Sequence, residues 1–581
     1  MQCKNSAYTD FMTNKIRQFF PIIEWLKTYN KSDFNGDVFA GVITAILLVP
    51  QGIAYAMLAG LPAQMGLYAS ILPAICYALL GTSRTMSVGP VSIAAIMIAS
   101  ALTAPEISAL NNPVESAIIL AAESGIILLL MAFMRMGVLV NFISHPVLTG
   151  FTSGASILII FSQLPHLLGL NKPLCGIDIN CYSSYLQAYN ETTLALGLIS
   201  LSILLIFNKP LTALLKKTPL SSSMVIGISK TAPLLTVVLS TILVLHYDFS
   251  NTENVAIVGA ITGGLPSLSL DFISSEQWKL LLPYAGFISL IAYVESVAIA
   301  KVTANLRHQK INPNQELVAL GFSNLATAVT GGMSVAGGFS RTMVNFSAGA
   351  RTQMAMLIAV IILSVAVVFA SDSFEFIPKA TLAAIILIAI FPLIKLRNII
   401  DTWQYDRADG VAELMTLIGV LILGIEEGLT LGIILTILSF LRQTSHPHIA
   451  EVGRVKNSEQ FRNINRHQVE TWDNVLLLRV DENITFTNAD YISDFIQTRL
   501  NNSQIEHVVL LFNSVSHIDS TALEALENLN HSLQKDNIIL NLSDVKGPVM
   551  DKLQQTDFLE AIKPGKVFFK TADVVRELAN G

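Results

Sequence analysis

The chain has 581 residues, of which 52% are hydrophobic and 13% charged, about half the charged fraction of an ordinary soluble protein, and its mean hydropathy is +0.57. That composition excludes a wholly soluble protein, and the length excludes one ordinary soluble domain. The formal net charge of −6 decides little, because where charges sit matters more than their sum; no nucleic-acid partner is expected.

The first 37 residues are polar and amphipathic, with Lys4, Lys15, Arg17, Lys27 and Lys31. They lack the apolar core of a cleavable signal and are expected on the cytoplasmic membrane surface. From about 38 to 442, apolar runs of membrane-spanning length follow one another with short connectors. Candidate spans fall at about 39–57, 63–80, 88–102, 116–134, 142–164, 192–207, 231–247, 279–301, 315–331, 339–349, 353–370, 377–394, 409–424 and 427–442. That makes fourteen. Those beginning near 88 and 339 are short, as facing half-helices would be.

With a cytoplasmic N-terminus, the inside connectors hold Arg84, Arg135, Lys209, Lys216, Lys217, Lys230, Lys301, Arg307, Lys310, Arg351, Lys395, Arg397 and Arg407. The outside connectors hold Lys172 and Lys379, with Lys279 at a span's edge. This bias fits an even number of spans with both ends inside. Two consecutive halves of seven spans must insert in opposite senses, so counting implies a 7+7 inverted repeat. The fold class is therefore an α-helical polytopic membrane protein.

A linker over about 443–454 leads to a polar, soluble composition over 455–581. The apolar runs at 475–480, 508–512 and 538–542 read as buried strands, and amphipathic stretches near 490–500, 521–534 and 548–556 as helices. Together they make a small α/β domain.

Two polar, glycine-broken stretches interrupt the apolar segments in corresponding places: Met86-Ser87-Val88-Gly89-Pro90, and the run from Met333 to Arg341. Such breaks leave backbone N–H groups that lipid cannot satisfy, and paired breaks point to a transporter's substrate site. The amides around Val88, Gly89 and Val91, and those around Phe339, Ser340 and Arg341, then start two helices whose positive ends converge on an anion. Arg341 adds a full charge, touching the substrate or acting from behind it, unless it snorkels to a headgroup. In the first span Gln51 and Tyr55, four apart, share a face and offer donors to an oxyanion; the plainer readings are interhelical hydrogen bonding and packing. Glu295 lies deep in the eighth span, where a carboxylate must be paired, neutral or facing water. Beside Arg341 it suits proton coupling, or else forms a static ion pair. Glu123 is a second buried carboxylate.

Cys175 and Cys181 share an outside loop and are spaced permissively for a disulfide in an oxidising compartment. The scattered His145, His446 and His448 are expected to be structural or exposed. There is no zinc spacing, P-loop or nucleophile elbow, so no metal, cofactor or catalytic role is expected.

The stretches 50–55 (PQGIAY), 66–68 (GLY), 81–90 (GTSRTMSVGP), 337–345 (GGFSRTMVN) and 348–353 (AGARTQ) resemble the sulfate permease (SulP) family over nearly the whole chain. The resemblance implies a core domain (spans 1–4 and 8–11), a gate domain (spans 5–7 and 12–14), elevator-like exchange, and commonly a homodimer. It places the anion site at Gln51, Tyr55, the amides from Val88 to Val91, and Phe339 to Arg341. Glu295 matches the proton-coupled sulfate branch, and Ile299, one turn later, cannot ligate sodium as a hydroxyl residue does in the bicarbonate branch.

The run from His517 to Leu523 resembles the central loop of STAS domains, making the tail a STAS-like domain. In soluble relatives a serine there is phosphorylated; Ser520 and Thr521 fit that position, against plain helix capping by Asp519 or Ser520. The expected function is proton symport of an inorganic oxyanion, sulfate first, in a bacterial-type inner (plasma) membrane with the tail cytoplasmic. The alternatives are a bicarbonate or C4-dicarboxylate transporter, sodium-coupled or exchanging, and an anion channel or voltage-responsive motor.

Overall fold

The structure, a computed structural model, describes residues 19–141, 144–170, 189–215, 217, 219, 222–261, 263–500 and 504–578. The Cys175–Cys181 pair and residues 1–18 lie outside the described residues. The chain divides into two compact units, Met1–Ile433 and Ile434–Gly581.

A short helix α1, Ile22–Leu26, precedes span 1 (Lys31–Leu58), span 2 (Ala63–Tyr68 continued by Leu72–Leu80), span 3 (Ser92–Thr103) and span 4 (Pro113–Phe133). Spans 5, 6 and 7 are His145–Leu168, Glu191–Leu215 and Ala232–Tyr247. The second half repeats the pattern with span 8 (Trp278–Leu306), span 9 (Pro313–Val329), span 10 (Phe339–Ser347) and span 11 (Met354–Phe369). Span 12 (Lys379–Ile390), span 13 (Arg407–Ile422) and span 14 (Ile425–Ser445) complete it. A helix thus stands at each of the fourteen expected places. Among the described residues, seven helices are long and apolar enough to cross a membrane, and those of spans 3, 7 and 11 are shorter apolar ones.

Local chemistry sets several of the boundaries. Asn30 accepts from the amides of Ser32 and Asp33 at the start of span 1, and Asn112 and Asn312 cap spans 4 and 9 ahead of Pro113 and Pro313. Such caps are worth about 1 kcal/mol each, and proline suits a helix's first turn. Small residues let backbones approach. A Cβ on Gly66 would lie 1.9 Å from the Gly52 carbonyl oxygen, so spans 1 and 2 cross there on glycine.

The packing obeys the inverted repeat. Span 1 packs on 11 as span 8 packs on 4; span 2 packs on 9; span 5 packs on 13 as span 12 packs on 6; span 5 packs on 12. Exchanging each span n for n+7 maps this set onto itself. Two groups result, spans 1–4 with 8–11, and spans 5–7 with 12–14.

Several short helices lie between the expected spans, and one of them alters a span's end. Span 12 ends at Ile390 instead of near 394, and a helix α2, Leu396–Tyr405, follows. Its Leu396, Ile400 and Trp403 recur at helical spacing and are exposed, the pattern of a helix suited to a membrane interface.

The second unit holds a six-stranded sheet in the order β4-β3-β5-β6-β7-β8: β3 Ile449–Arg454, β4 Phe461–Asn463, β5 Val475–Val480, β6 His507–Leu511, β7 Ile539–Ser543 and β8 Val567–Phe568. Strands β5 to β8 run parallel, and β3 is antiparallel to both β4 and β5. Helices α3 (Ala489–Leu500), α4 (Ser520–Lys535), α5 (Gly547–Leu553) and α6 (Thr571–Leu578) accompany it. Leu476 and Leu478 join one apolar cluster while Val475 and Leu477 join the other. That two-sided burial is why β5 reads as an unbroken apolar run. The stretch 443–454, which reads as a linker, contains the end of span 14 and all of β3.

Candidate functional site

The two breaks meet. Val88–Gly89 (β1) pairs antiparallel with Ala336–Gly337 (β2), Val88 opposite Gly337 and Gly89 opposite Ala336. The Gly338 amide also donates to the Ser87 carbonyl at 3.0 Å. Span 3 begins at Ser92 and span 10 at Phe339, so two helix starts leave one small ladder in opposite senses, and neither has a side-chain cap. Span 3 was expected from about 88; the strand forms instead because Pro90 disfavours helical backbone at Gly89.

Side chains from neighbouring spans satisfy the broken backbone. Asn324 accepts from the Val335 amide (3.0 Å) and donates to its carbonyl (2.9 Å), and Thr327 donates to the Met333 carbonyl (3.0 Å). Ser296, beside Glu295, accepts from the Gly337 amide at 2.8 Å. Asn345 donates to the Thr85 carbonyl (2.9 Å), and Gln353 to those of Ser83 (2.7 Å) and Met86 (3.0 Å). Glu316 accepts from the Thr82 amide (2.8 Å) and the Tyr77 hydroxyl (2.7 Å). Sequence reasoning gave these residues no role; their signal was polar side chains inside spans 8, 9 and 10 and at the start of span 11.

Arg341 lies against this ladder. It is 1% exposed, yet none of its three guanidinium nitrogens has a hydrogen-bond partner. A Cβ on Gly89 or on Gly338 would stand 3.1 Å from its Nη2, so the guanidinium occupies a notch bounded by two glycines. Gln51 Oε1 and Glu295 Oε2 are also shielded and unpartnered. No ion pair within 4.0 Å joins Glu295 to Arg341. Glu123 is buried with its Oε2 unpartnered and does not line the cavity.

A cavity of about 830 Å³ opens onto these groups. Of the expected residues, Gln51, Tyr55, Val91, Phe339, Ser340, Arg341 and Glu295 line it, with Ile299 one turn from Glu295. Val88 and Gly89 do not; they sit behind it, buried in β1. Further out, His145, Lys230 and Lys395 line the cavity from the other group of spans. His145 reads from sequence as structural and the two lysines as topology markers. Their distance along the chain hid their common wall.

In the second unit, Asp519 caps α4. It accepts from the Ala522 amide (2.8 Å) and the Phe486 amide (2.9 Å). Burial alone would raise this carboxyl, but those amides hold it below the usual carboxylate range. Ser520 and Thr521 follow it, exposed.

Two uncapped helix starts, a buried guanidinium and a water-accessible cavity inside an inverted repeat define a membrane transport protein for anions. Residues 34–416 match the sulfate permease family and residues 466–576 match the STAS domain; the chain belongs to the sulfate permease family, a family of transporters and not of enzymes. It is 33% identical to Sulfate transporter 1.3 of Arabidopsis thaliana, covering 96% of this chain and 87% of that one. It is 30% identical to High affinity sulfate transporter 2 of Stylosanthes hamata, covering 96% and 86%. In fold it is similar to the structure of SLC26A9, with a TM-score of 0.88 at 20% identity over 99% of this chain and 95% of that one. The transmembrane domain of a cyanobacterium bicarbonate transporter, BicA, matches at 0.58 and 22% identity over 70% of this chain and 98% of that one.

Proposed function

We propose that the protein is a proton-coupled sulfate symporter of the inner (plasma) membrane, with the N-terminus and the STAS domain cytoplasmic. The observation that carries this reading is Arg341, a buried guanidinium with all three nitrogens unpartnered between two uncapped helix starts. A tetrahedral oxyanion accepts from a guanidinium fork and from backbone amides together. Gln51 and Tyr55 complete the donors from span 1. Glu295 shares the cavity with Arg341 but forms no pair with it, so its charge is free to change with the anion's arrival. The relatives' names, sulfate transporters, support sulfate as the cargo.

The positive-inside bias puts the connectors holding Lys230 and Lys395 in the cytoplasm, so the cavity they line is inward-open. Elevator-like movement of spans 1–4 and 8–11 against the other group would carry the site outward, within a homodimer. Ser520 and Thr521, exposed after a helix cap, are candidate phosphorylation positions.

Radiolabelled sulfate uptake into proteoliposomes tests the reading. Uptake should rise with an inward proton gradient and fall with competing sulfate more than with bicarbonate, fumarate or chloride. Uptake indifferent to the gradient removes Glu295 from the mechanism, and stronger competition by bicarbonate replaces the cargo.

A further inference from the structure

The first unit has a second cavity, of about 510 Å³, whose wall carries three guanidiniums, those of Arg84, Arg307 and Arg351. Each comes from a different connector, between spans 2 and 3, 8 and 9, and 10 and 11. Gly349 takes φ +105°, a region that favours glycine, and turns the chain back toward span 1. There the amides of Arg351 and Thr352 donate to Asp37 Oδ1 at 2.6 and 3.0 Å, and the Arg351 guanidinium lies 3.6 Å from Asp33. Arg307 donates to the Ala350 carbonyl and lies 4.4 Å over the Phe346 ring. Burial, and then the like charge of Arg351, hold its guanidinium below the usual value. Arg84 follows the loop gripped by Glu316, and among the described residues its side chain has neither an ion pair nor a hydrogen bond.

The charges do not balance. Among the described residues, Asp33 is the one carboxylate on the wall, and Asp37 behind it is taken up by two amides and the Thr352 hydroxyl. The Ala350 carbonyl holds the Arg307 guanidinium and Asp33 stands beside that of Arg351, while that of Arg84 has no partner among the described residues. Cations brought together against their mutual repulsion are stabilised by a shared anion. Guanidinium forks match a tetrahedral, doubly charged group better than a point charge would.

We propose that this pocket binds a phosphate group, free or as a phosphomonoester, at a site separate from the transport site. The group comes either from a lipid headgroup or from soluble phosphate. Phe19, Phe20 and Leu26 are exposed around Trp25 of α1, which forms part of the wall. That apolar margin suits headgroup depth.

The test uses the full chain carrying Arg341→Gln, which disables the transport site, in nanodiscs of phosphatidylcholine. Three conditions are compared by Tm: no addition, inorganic phosphate, and phosphatidic acid as about one fifth of the lipid. A ligand at ~100 times its Kd should raise Tm by several degrees. Adding Arg84→Gln should weaken the apparent affinity about tenfold or more, and Arg84→Lys, keeping charge without the fork, should fall between. A shift with phosphatidic acid alone assigns the headgroup; a shift with phosphate in plain phosphatidylcholine assigns the soluble anion. No shift with either probe, or a shift unchanged by both Arg84 variants, overturns the proposal. If the Arg84→Gln chain is not monodisperse, the Arg84→Lys titration alone decides.

Discussion

The two halves of the repeat contribute to one cavity, but not alike. With Gly89 and Val88 paired to Ala336 and Gly337, local two-fold symmetry makes Gly89 the counterpart of Gly337, and Ile93 the counterpart of Arg341. Around the ladder, the first half places Gln51, Tyr55, Val91 and Ile93, all neutral, and the second places Glu295 and Arg341, while Lys230 of the first half and Lys395 of the second stand further out. Spans 1 and 8, also counterparts, each present a pair four residues apart: Gln51 with Tyr55, and Glu295 with Ile299. The scaffold is symmetric and the chemistry is not. In the proposed mechanism, one half supplies dipoles for an anion of fixed charge, and the other supplies Arg341 for binding and Glu295 for coupling.

Making the second half resemble the first is the hardest blow to this arrangement. Arg341→Ile, matching Ile93, should lower sulfate uptake by about two orders of magnitude, since charge-assisted hydrogen bonds are lost together; size-exclusion of the folded protein should be unchanged. The reverse substitution, Ile93→Arg, sets a second guanidinium against the first without a carboxylate. It should destabilise the first unit by about 3 kcal/mol, the scale of an uncompensated buried charge, read as a lowered Tm. Glu295→Gln, which removes the second half's carboxylate, should erase most of the stimulation by a proton gradient, about tenfold, while sulfate still protects the protein thermally. Loss of protection together with stimulation would make Glu295 a structural residue.

A smaller effect contrasts the membrane unit with the tail. Asp481 lies 2.5 Å from Arg479 and 2.8 Å from His448. Burial would raise its carboxyl, but the hydrogen bonds from Arg479 and His448 outweigh that and hold it below the usual range. Its folded value is depressed, so its contribution is present above the unfolded value of about 3.9 and is lost as pH falls through the folded value. Asp481→Asn should cost under about 1 kcal/mol at neutral pH, because both partners are partly exposed. Hydrogen exchange of β5 in the two chains should converge in acid.

Periodicity and short motifs carried much of this into view before any coordinates. The fourteen segments, the meeting of the breaks at 88 and 338, and three of the six strands were legible because each is a local pattern. Asn324, Thr327, Asn345 and Gln353 were not, since a polar residue in an apolar span does not announce which carbonyl it will meet. His145, Lys230 and Lys395 share a wall only after folding. The strand β8 has two residues and leaves no period to read. The helix α2 was hidden by its position: Leu396, Ile400 and Trp403 follow an apolar span directly, and the break that separates them from it falls at Phe391–Leu393, which hydropathy does not mark.

The ladder between β1 and β2 has a consequence for release of cargo. Four residues cross-link the two half-helices, and Asn324, Ser296 and Gln353 bolt them to spans 8, 9 and 11. So braced, the pocket would keep one shape whichever way the proposed elevator movement turned it. Such a carrier could not squeeze its passenger out; it would let go by dilution or by a change of charge, and in the proposed mechanism that change falls to Glu295.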